Sequence, residues 1–194
     1  VQANAAHNTG MYYTGENGLY VCQYFDSEYR GMIGDTAISA EQVINSLSGS
    51  EHLSSDSPGR QKITDATARQ LFHPDRLVFD LKIRAERETE FSIRIRVPWW
   101  MQGTPVFLVD GKAVDLRAEK GSFAEIKRVW KQNTIHVEIP KGIHADYLPG
   151  RPDMAAFLDG PVVLAGLCGE ERTLYVDPRE PEQVLVSDNE REWA

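Results

Sequence analysis

The chain has few of the residues and motifs that usually carry enzyme chemistry. Its 194 residues include two cysteines, Cys22 and Cys168, which lie far apart and outside any Cys-x-x-Cys spacing. They form no zinc site by themselves, and we expect an inert thiol at each, with a long-range disulfide as the alternative. No Gly-rich phosphate loop, Gly-x-Ser-x-Gly elbow or His-Glu-x-x-His sequence occurs. No nucleotide-dependent, serine-hydrolase or zinc-peptidase chemistry is therefore indicated.

Basic residues and long apolar runs are also scarce. Lysine and arginine number 21 against 29 acidic residues, which gives a formal charge of −8. Such an acidic chain is not expected to bind nucleic acid. No stretch reaches the 18 or so consecutive apolar residues of a membrane-spanning helix. Because the chain begins at Val1 without a leader pattern, we expect a mature form or an excised fragment.

Histidines and acidic residues occur without the spacing of a catalytic or metal site. The five histidines, none of which we expect to bind metal, are His7, His52, His73, His136 and His144. His136 alternates with apolar neighbours and is predicted to face solvent. Acidic residues such as Glu86, Glu88 and Asp110 lie at alternating or turn positions typical of a solvated sheet face. We therefore predict no catalytic residue and no metal ligand in this chain.

Alternation with a period of two dominates what is present. In "RLVFDLKIRAE" and "EFSIRIRVP" the apolar residues share one face and the charged residues the other, which predicts two strands packed on one side. Asp110-Gly111 predicts a hairpin, and "GMYY" with "LYVCQYF" predicts another. In "ISAEQVINSLSG" a short helix and a strand both remain open. The expected fold is an all-β antiparallel β-sandwich, jelly-roll-like, with a long loop around residues 45–60.

The carboxy-terminal third continues the all-β pattern. "AAFLDGPVVLAGLC" predicts a strand, a Gly160-Pro161 break and a further apolar strand buried on both faces. The acidic segment that follows is predicted to begin a further structural element rather than to end the domain. We expect residues 1–10 to be a linker from a missing upstream domain, residues 11–176 to form the sandwich, and residues 177–194 to be a tail or the start of a following segment.

Three tryptophans are the candidate contact residues. Flat aromatic rings suit the apolar faces of sugars as well as a protein core. Trp99 and Trp100 follow Pro98 at a strand end, so we expect one ring to fold over the sheet and the other to face outward. Trp130 is predicted on the exposed edge of the polar face or around a sheet corner. Each is a candidate for contact with a ligand or with another domain, and core packing is the alternative.

The order of these segments resembles the carboxy-terminal sandwich region of glycoside hydrolase family 127, the β-L-arabinofuranosidase type. That family shows Arg-x-Pro-x-Trp, a Val-Asn-Gly turn, Arg-x-Trp-x-x-Gly-Asp and Ala-x-x-x-Gly-Pro-x-Val. The matching positions are Arg96, Pro98 and Trp100; Val109 to Gly111; Arg128 and Trp130; and Ala156, Gly160, Pro161 and Val163. Asp110 replaces the family's Asn, and Gln132-Asn133 occurs in the segment where the family has Gly-Asp. The resemblance covers roughly Met11 to Leu167.

The resemblance implies that the catalytic centre lies elsewhere. The family's zinc-bound cysteine nucleophile and glutamates belong to an upstream α/α barrel, so zinc is implied there and no cofactor here. We therefore expect an inactive, accessory sandwich whose partner is the barrel of the same parent protein, with a glycan as a further partner and neither nucleic acid nor membrane. A carbohydrate-binding module and a protein-interaction sandwich are the alternatives. A glycan-degrading role favours a periplasmic or extracellular location.

Overall fold

The computed structural model describes residues 10–15, 17–45 and 75–165, together with 169, 170, 173, 175–180 and 185. These residues are almost entirely β-structure, as predicted. In chain order the strands are β1 Tyr12–Gly15, β2 Gly18–Val21, β3 Ser27–Ile33, β4 Thr36–Ile44, β5 Arg76–Arg96, β6 Val106–Val109, β7 Lys112–Ala113, β8 Phe123–Pro140, β9 Ile143–Leu148, β10 Arg151–Asp159 and β11 Val162–Val163.

The described residues fall into two compact units that divide after Pro140. The first unit holds one eight-stranded sheet with the path β1-β2-β5-β8-β6-β7, in which β4 also pairs with β5 and β3 pairs with β4. All pairs in this sheet are antiparallel except β2 with β5, which run parallel. The second unit holds the antiparallel three-stranded sheet β11-β10-β9.

Strand β5 folds back on itself. The Tyr24 ring stacks on Phe79 near the start of β5 with 4.6 Å between centroids, and the Tyr24 hydroxyl donates to the carbonyl of Arg96 at its end. In a straight strand those two positions, 96 − 79 = 17 residues apart, would be separated by about 56 Å. One tyrosine side chain reaches both, so β5 must bend sharply.

Strand β8 bends with it. Arg96 pairs with Phe123 at the start of β8, whereas Val106 pairs with Glu138 near its end. Only ten residue steps join Arg96 to Val106, a reach of at most about 36 Å. The fifteen steps from Phe123 to Glu138 would span about 50 Å if straight. The sheet therefore closes over its own apolar face, and its two halves form the β-sandwich.

The bend lies at a bulge. Arg84 pairs with Gln132 and Thr89 with Trp130, so residues 85–88 oppose Lys131 alone. Extra residues on one strand bend it and increase its twist. From Ile83 to Phe91 the count is even, so the same side of β5 faces the interior before and after the bulge. The two segments predicted as separate strands are thus one bent strand.

The core lies between the two halves of this sheet. Among the described residues it comprises 22 buried ones, including Phe79 and Ile83 from one half of β5 and Phe91 and Ile95 from the other. Hydrophobic residues on alternate strand positions supply nearly all of it, as the period of two predicts. Burial of this apolar face is the main stabilising contribution to the unit.

Several predictions for individual segments can be compared with the structure. The hairpins at Asp110-Gly111 and between β1 and β2 are confirmed. Residues 36–44 form a strand, so the helical alternative is wrong. The prediction that "VVLAG" is buried on both faces is also wrong, because Val162 and Val163 are 59% and 63% exposed. Strand β11 has only two residues and pairs with β10 alone, which makes it a sheet edge.

Some predictions fall outside the described residues. These are the linker up to residue 9, the loop over residues 46–60, most of the tail after residue 177, and the environments of Cys168, His7, His52 and His73. The predicted division of the chain at residues 10 and 176 stays a prediction. In the described part no helix has the length and apolar character needed to cross a membrane.

Candidate interaction surface

The three candidate tryptophans lie in different environments. Trp100 is 9% exposed and belongs to the core cluster, whereas Trp99 is 52% exposed. Both lie in the turn after β5, in which the amide of Met101 donates to the carbonyl of Pro98 at 3.3 Å. Neighbouring positions in a tight turn point in different directions, which separates the two rings. Of this pair, Trp99 alone is exposed.

Trp130 is fully buried, so the prediction of an exposed-edge position is wrong. Its indole N–H donates to the carbonyl of Phe91 at 2.9 Å, and the two rings lie 6.1 Å apart. The guanidinium of Arg128 covers the same indole at 5.3 Å. Trp130 lies beside the bulge and connects the two long strands there. Its hydrogen bond within the core leaves it no ring face for a ligand.

A second group of aromatic residues lies on the outer face of the β1-β2-β5-β8 half. The strand register places Tyr13 opposite Tyr20, Tyr20 opposite Arg94, and Arg94 opposite Glu125. The Arg94 guanidinium lies 4.9 Å from the Tyr20 ring centre and forms an ion pair with Glu125 at 2.7 Å. This row runs across four strands and ends in the exposed ring of Tyr13.

A second row lies next to the first. Arg96 pairs with Phe123, and its guanidinium stacks over that ring at 5.4 Å. The Phe123 ring meets Tyr20 edge to face, with centroids 5.4 Å apart. We call the five residues Tyr13, Tyr20, Arg94, Arg96 and Phe123 the aromatic–arginine surface. Sequence reasoning missed it, because the five come from four strands and only the register brings them together.

Cys22 borders this surface beside Arg96. Burial raises the pKa of its thiol, and the positive charge of Arg96 partly opposes that shift. A thiol needs its thiolate form to act as a nucleophile or a metal ligand. Cys22 is therefore poorly suited to either role at neutral pH. In the described part of the chain no three histidine, cysteine or carboxylate side chains gather closely enough to hold a metal ion.

A polar cluster occupies the outer face of the other half of the sheet. His136 Nδ1 lies 2.7 Å from Asp80 Oδ1, and His136 Nε2 lies 3.4 Å from Glu138 Oε1. Asn45 donates to Asp80 at 2.7 Å, and Arg76 donates to Glu138 at 2.6 Å, which lowers the pKa of Glu138. His136 thus lies on the polar face, as predicted, but about a third exposed. Its partners tie β5 to β8.

One surface depression of about 450 Å³ lies over β3 and β4. Its lining consists mainly of charged and amide side chains, including Glu28, Glu41 and Arg84, and the described residues around it include no aromatic ring. Sugar sites usually combine polar groups with a flat ring. The depression lacks that ring, so the aromatic–arginine surface and Trp99 remain the candidates for contact.

Comparison with known proteins identifies a related protein family. Residues 60–141 match the family model described as the β-L-arabinofuranosidase, GH127 middle domain. The match includes β5 to β8 and ends at the boundary of the first compact unit. No match was found among curated protein sequences. The chain therefore contains a region related to the GH127 middle domain, in agreement with the resemblance seen in the sequence.

Solved structures share the fold at low identity. A GH127 β-L-arabinofuranosidase from Geobacillus stearothermophilus T6 matches with a TM-score of 0.60 and 20% identity over 82% of this chain. A glycoside hydrolase and a second GH127 β-arabinofuranosidase match with TM-scores of 0.57 and 0.55, each at 17% identity over 79% of this chain. The chain spans only 22% to 23% of the length of these three proteins.

Proposed function

We propose that this chain is a non-catalytic accessory β-sandwich of a β-L-arabinofuranosidase-like glycoside hydrolase, packed against a catalytic α/α barrel of the same parent protein. The match of residues 60–141 to the GH127 middle domain carries the proposal. It is supported by the small share of each similar enzyme that this fold occupies. The zinc site implied by the family belongs to the barrel, and no step of the reaction is assigned to this chain.

The local chemistry agrees with an accessory role. Burial raises the pKa of the Cys22 thiol, the opposite of what a cysteine nucleophile needs. The cluster of Asp80, His136 and Glu138 is engaged in bonds to Asn45 and Arg76 on an open sheet face. Glycoside hydrolysis needs two positioned carboxylates around a bound sugar. We expect this cluster to join strands rather than to act on a substrate.

The first test is activity of the isolated chain. Purified 194-residue protein is expected to hydrolyse an aryl β-L-arabinofuranoside no faster than a heat-treated sample of itself. The parent protein that contains the barrel provides the positive control. Turnover by the isolated chain that survives repurification and is lost on heating would contradict the non-catalytic assignment.

Within the first unit, we propose that Trp99 contacts the barrel. A half-exposed tryptophan at a rigid turn can fill a partner pocket, and truncating such an interface residue typically costs about 2 kcal/mol or more. Trp99→Ala in the parent protein is expected to lower the thermal midpoint and the specific activity. Phe25→Ala is the matched control, since Phe25 is a similarly exposed ring in another connecting segment. Equal effects of the two changes would count against a specific contact at Trp99.

A carbohydrate-binding module is the second candidate, favoured by the exposed rings of Trp99 and Tyr13. The burial of Trp100 and Trp130 removes two of the three tryptophans such a module would use. Retention on an arabinan gel that is lost in Trp99→Ala without loss of folding would support this function. A protein-interaction sandwich predicts no retention on any glycan.

A further inference from the structure

The two arginines of the aromatic–arginine surface differ in one respect. Both guanidinium groups lie over an aromatic ring, Arg94 on Tyr20 and Arg96 on Phe123. Arg94 also forms an ion pair with Glu125. Within the described part of the chain, Arg96 forms no ion pair and is only partly exposed. This partly buried positive charge therefore has no carboxylate partner among the described residues.

Stacking leaves the donors of Arg96 available. Contact between the Arg96 guanidinium and the Phe123 ring does not use the N–H donors of the guanidinium, which form a planar fork. That fork matches the two oxygens of a carboxylate, which arginine binds in a bidentate manner. Arg94 donates one hydrogen bond of this kind to Glu125 at 2.7 Å. The neighbouring Arg96 also lies over an aromatic ring but forms no ion pair with a described residue.

The surrounding structure holds Arg96 in place before any ligand arrives. Its backbone pairs with Phe123, and its carbonyl accepts a hydrogen bond from the Tyr24 hydroxyl. Burial raises the pKa of Tyr24, so that hydroxyl stays protonated and keeps donating at all ordinary pH values. Fixing a side chain in advance reduces the entropy lost on binding. These bonds fix the backbone of Arg96, and the contact with the Phe123 ring restricts its side chain.

We propose that the aromatic–arginine surface binds a carboxylate-bearing saccharide, such as a uronic acid residue of an acidic polysaccharide, with the carboxylate on Arg96. The exposed ring of Tyr13 provides flat apolar contact for a sugar ring. The row crosses four strands, about 14 Å at the usual strand spacing, and suits an extended chain better than a small molecule. The choice of a saccharide rests on the proposed glycoside hydrolase role, whereas the carboxylate follows from Arg96.

The net negative charge of the chain disfavours nonspecific binding of an acidic polysaccharide. At −8 the whole chain should be repelled by a polyanion. Binding of an acidic polysaccharide therefore requires a local site, not a general attraction. Arg128 offers a matched control. It also stacks on an aromatic ring, that of Trp130 at 5.3 Å, and is likewise without an ion pair among the described residues, but it lies beside the bulge.

The test is native affinity electrophoresis of the 194-residue chain through gels that contain polygalacturonate, or linear arabinan at equal concentration. Retention by polygalacturonate is expected to exceed retention by arabinan. Arg96→Gln should weaken the apparent affinity for polygalacturonate roughly tenfold or more, as loss of a charged hydrogen-bond donor does. Arg128→Gln, with the same change in charge, should bind like the unchanged protein. Thermal melts establish that both variants are folded.

Four results would overturn the proposal. The first is no retention on either gel, and the second is equal retention on both gels with no effect of Arg96→Gln. The third is an equal loss of affinity for polygalacturonate in Arg96→Gln and Arg128→Gln. The fourth is an effect of Arg96→Gln on the stability of the parent protein without an effect on retention by polygalacturonate. The last would make the surface a contact between domains. None of them bears on whether the isolated chain lacks hydrolytic activity, so failure here is distinguishable from failure of the proposed function.

Discussion

At the scale of single residues, Asp110 and Asn133 form a polar pair at the β6–β7 turn. Asp110 adopts a left-handed backbone with φ of 51°, which asparagine and aspartate tolerate better than most residues. Its carboxylate accepts from the amide of Thr134 at 2.9 Å and from the side-chain amide of Asn133 at 2.8 Å.

The hydrogen bond between Asn133 and Asp110 predicts strong coupling between the two positions. Asn133 also accepts from the amide of Lys131 at 3.1 Å, which fixes the orientation of its side-chain amide. Asp110→Asn alone would therefore place its side-chain NH2 group opposite the NH2 group of Asn133, with no acceptor between them. Asn133→Asp alone would place a second carboxylate opposite that of Asp110. Each single change should cost about 1 kcal/mol, with Asn133→Asp the worse. The double exchange should recover most of the loss, measured by urea unfolding as a double-mutant cycle. Additive losses would mean that the hydrogen bond contributes nothing.

The Asp110–Asn133 pair should also make the stability of the protein depend on pH. The hydrogen bond from the amide of Thr134 lowers the pKa of Asp110 below its ordinary value of 3.8. A carboxylate with a lowered folded-state pKa stabilises the folded state above the unfolded pKa, and this contribution disappears as the pH falls through the folded value. The stability difference between the unchanged protein and Asp110→Asn should therefore be constant near neutrality and shrink below about pH 4. The Asn133→Asp penalty should begin to shrink at a higher pH, because a second carboxylate facing Asp110 raises the folded-state pKa above the unfolded value.

At the scale of the strands, Gly18 determines the parallel contact between β2 and β5. A Cβ atom at Gly18 would lie 2.3 Å from the carbonyl oxygen of Ser92, a backbone atom that its own strand pairing holds in place. The amide of Ser92 also donates to the carbonyl of Asn17 at 3.0 Å. The backbones thus meet without room for any side chain.

Gly18→Ala is therefore expected to destabilise the protein strongly. Overpacking against a fixed backbone atom typically costs about 1–3 kcal/mol or more. Gly15→Ala, in the same hairpin, is the matched control. Its Cβ would lie 3.4 Å from a ring carbon of Tyr20, an ordinary contact, so it should be almost neutral. Thermal unfolding of the two variants measures the difference. A Gly18→Ala protein as stable as the control would show that β2 and β5 separate at little cost.

The strands also show where sequence reasoning succeeds and where it ends. Alternation in residues 77–83 and 91–97 correctly predicts strands and their inward faces, because it depends only on the pleat. The same pattern says nothing about the bulge at residues 85–88, so one bent strand was predicted as two. The burial of Trp130 follows from that bend. The aromatic–arginine surface depends on the pairing of Tyr20 with Arg94 and on the ring contact of Tyr20 with Phe123, which no local pattern contains.

At the scale of the whole molecule, the first unit contains a complete core. All 22 residues of the core cluster precede residue 140, and the family match ends one residue after it. The second unit contributes one buried large hydrophobic residue among those described, Leu158, which is outside that cluster. A unit with its own core can fold alone. The first unit should therefore not need the chain after Pro140 to reach its fold.

A chain truncated after Pro140 tests this expectation. It should unfold cooperatively, with a thermal midpoint within a few degrees of the full chain and the blue-shifted fluorescence of a buried Trp130. A chain truncated after Thr134 is the control, because it lacks Ile135, Val137 and Ile139 and the pairing of β8 with β6. That control should show no cooperative transition, since several buried side chains and a central strand segment are lost together. Loss of the transition in the Pro140 fragment as well would mean that residues beyond 140 are required for this core to form.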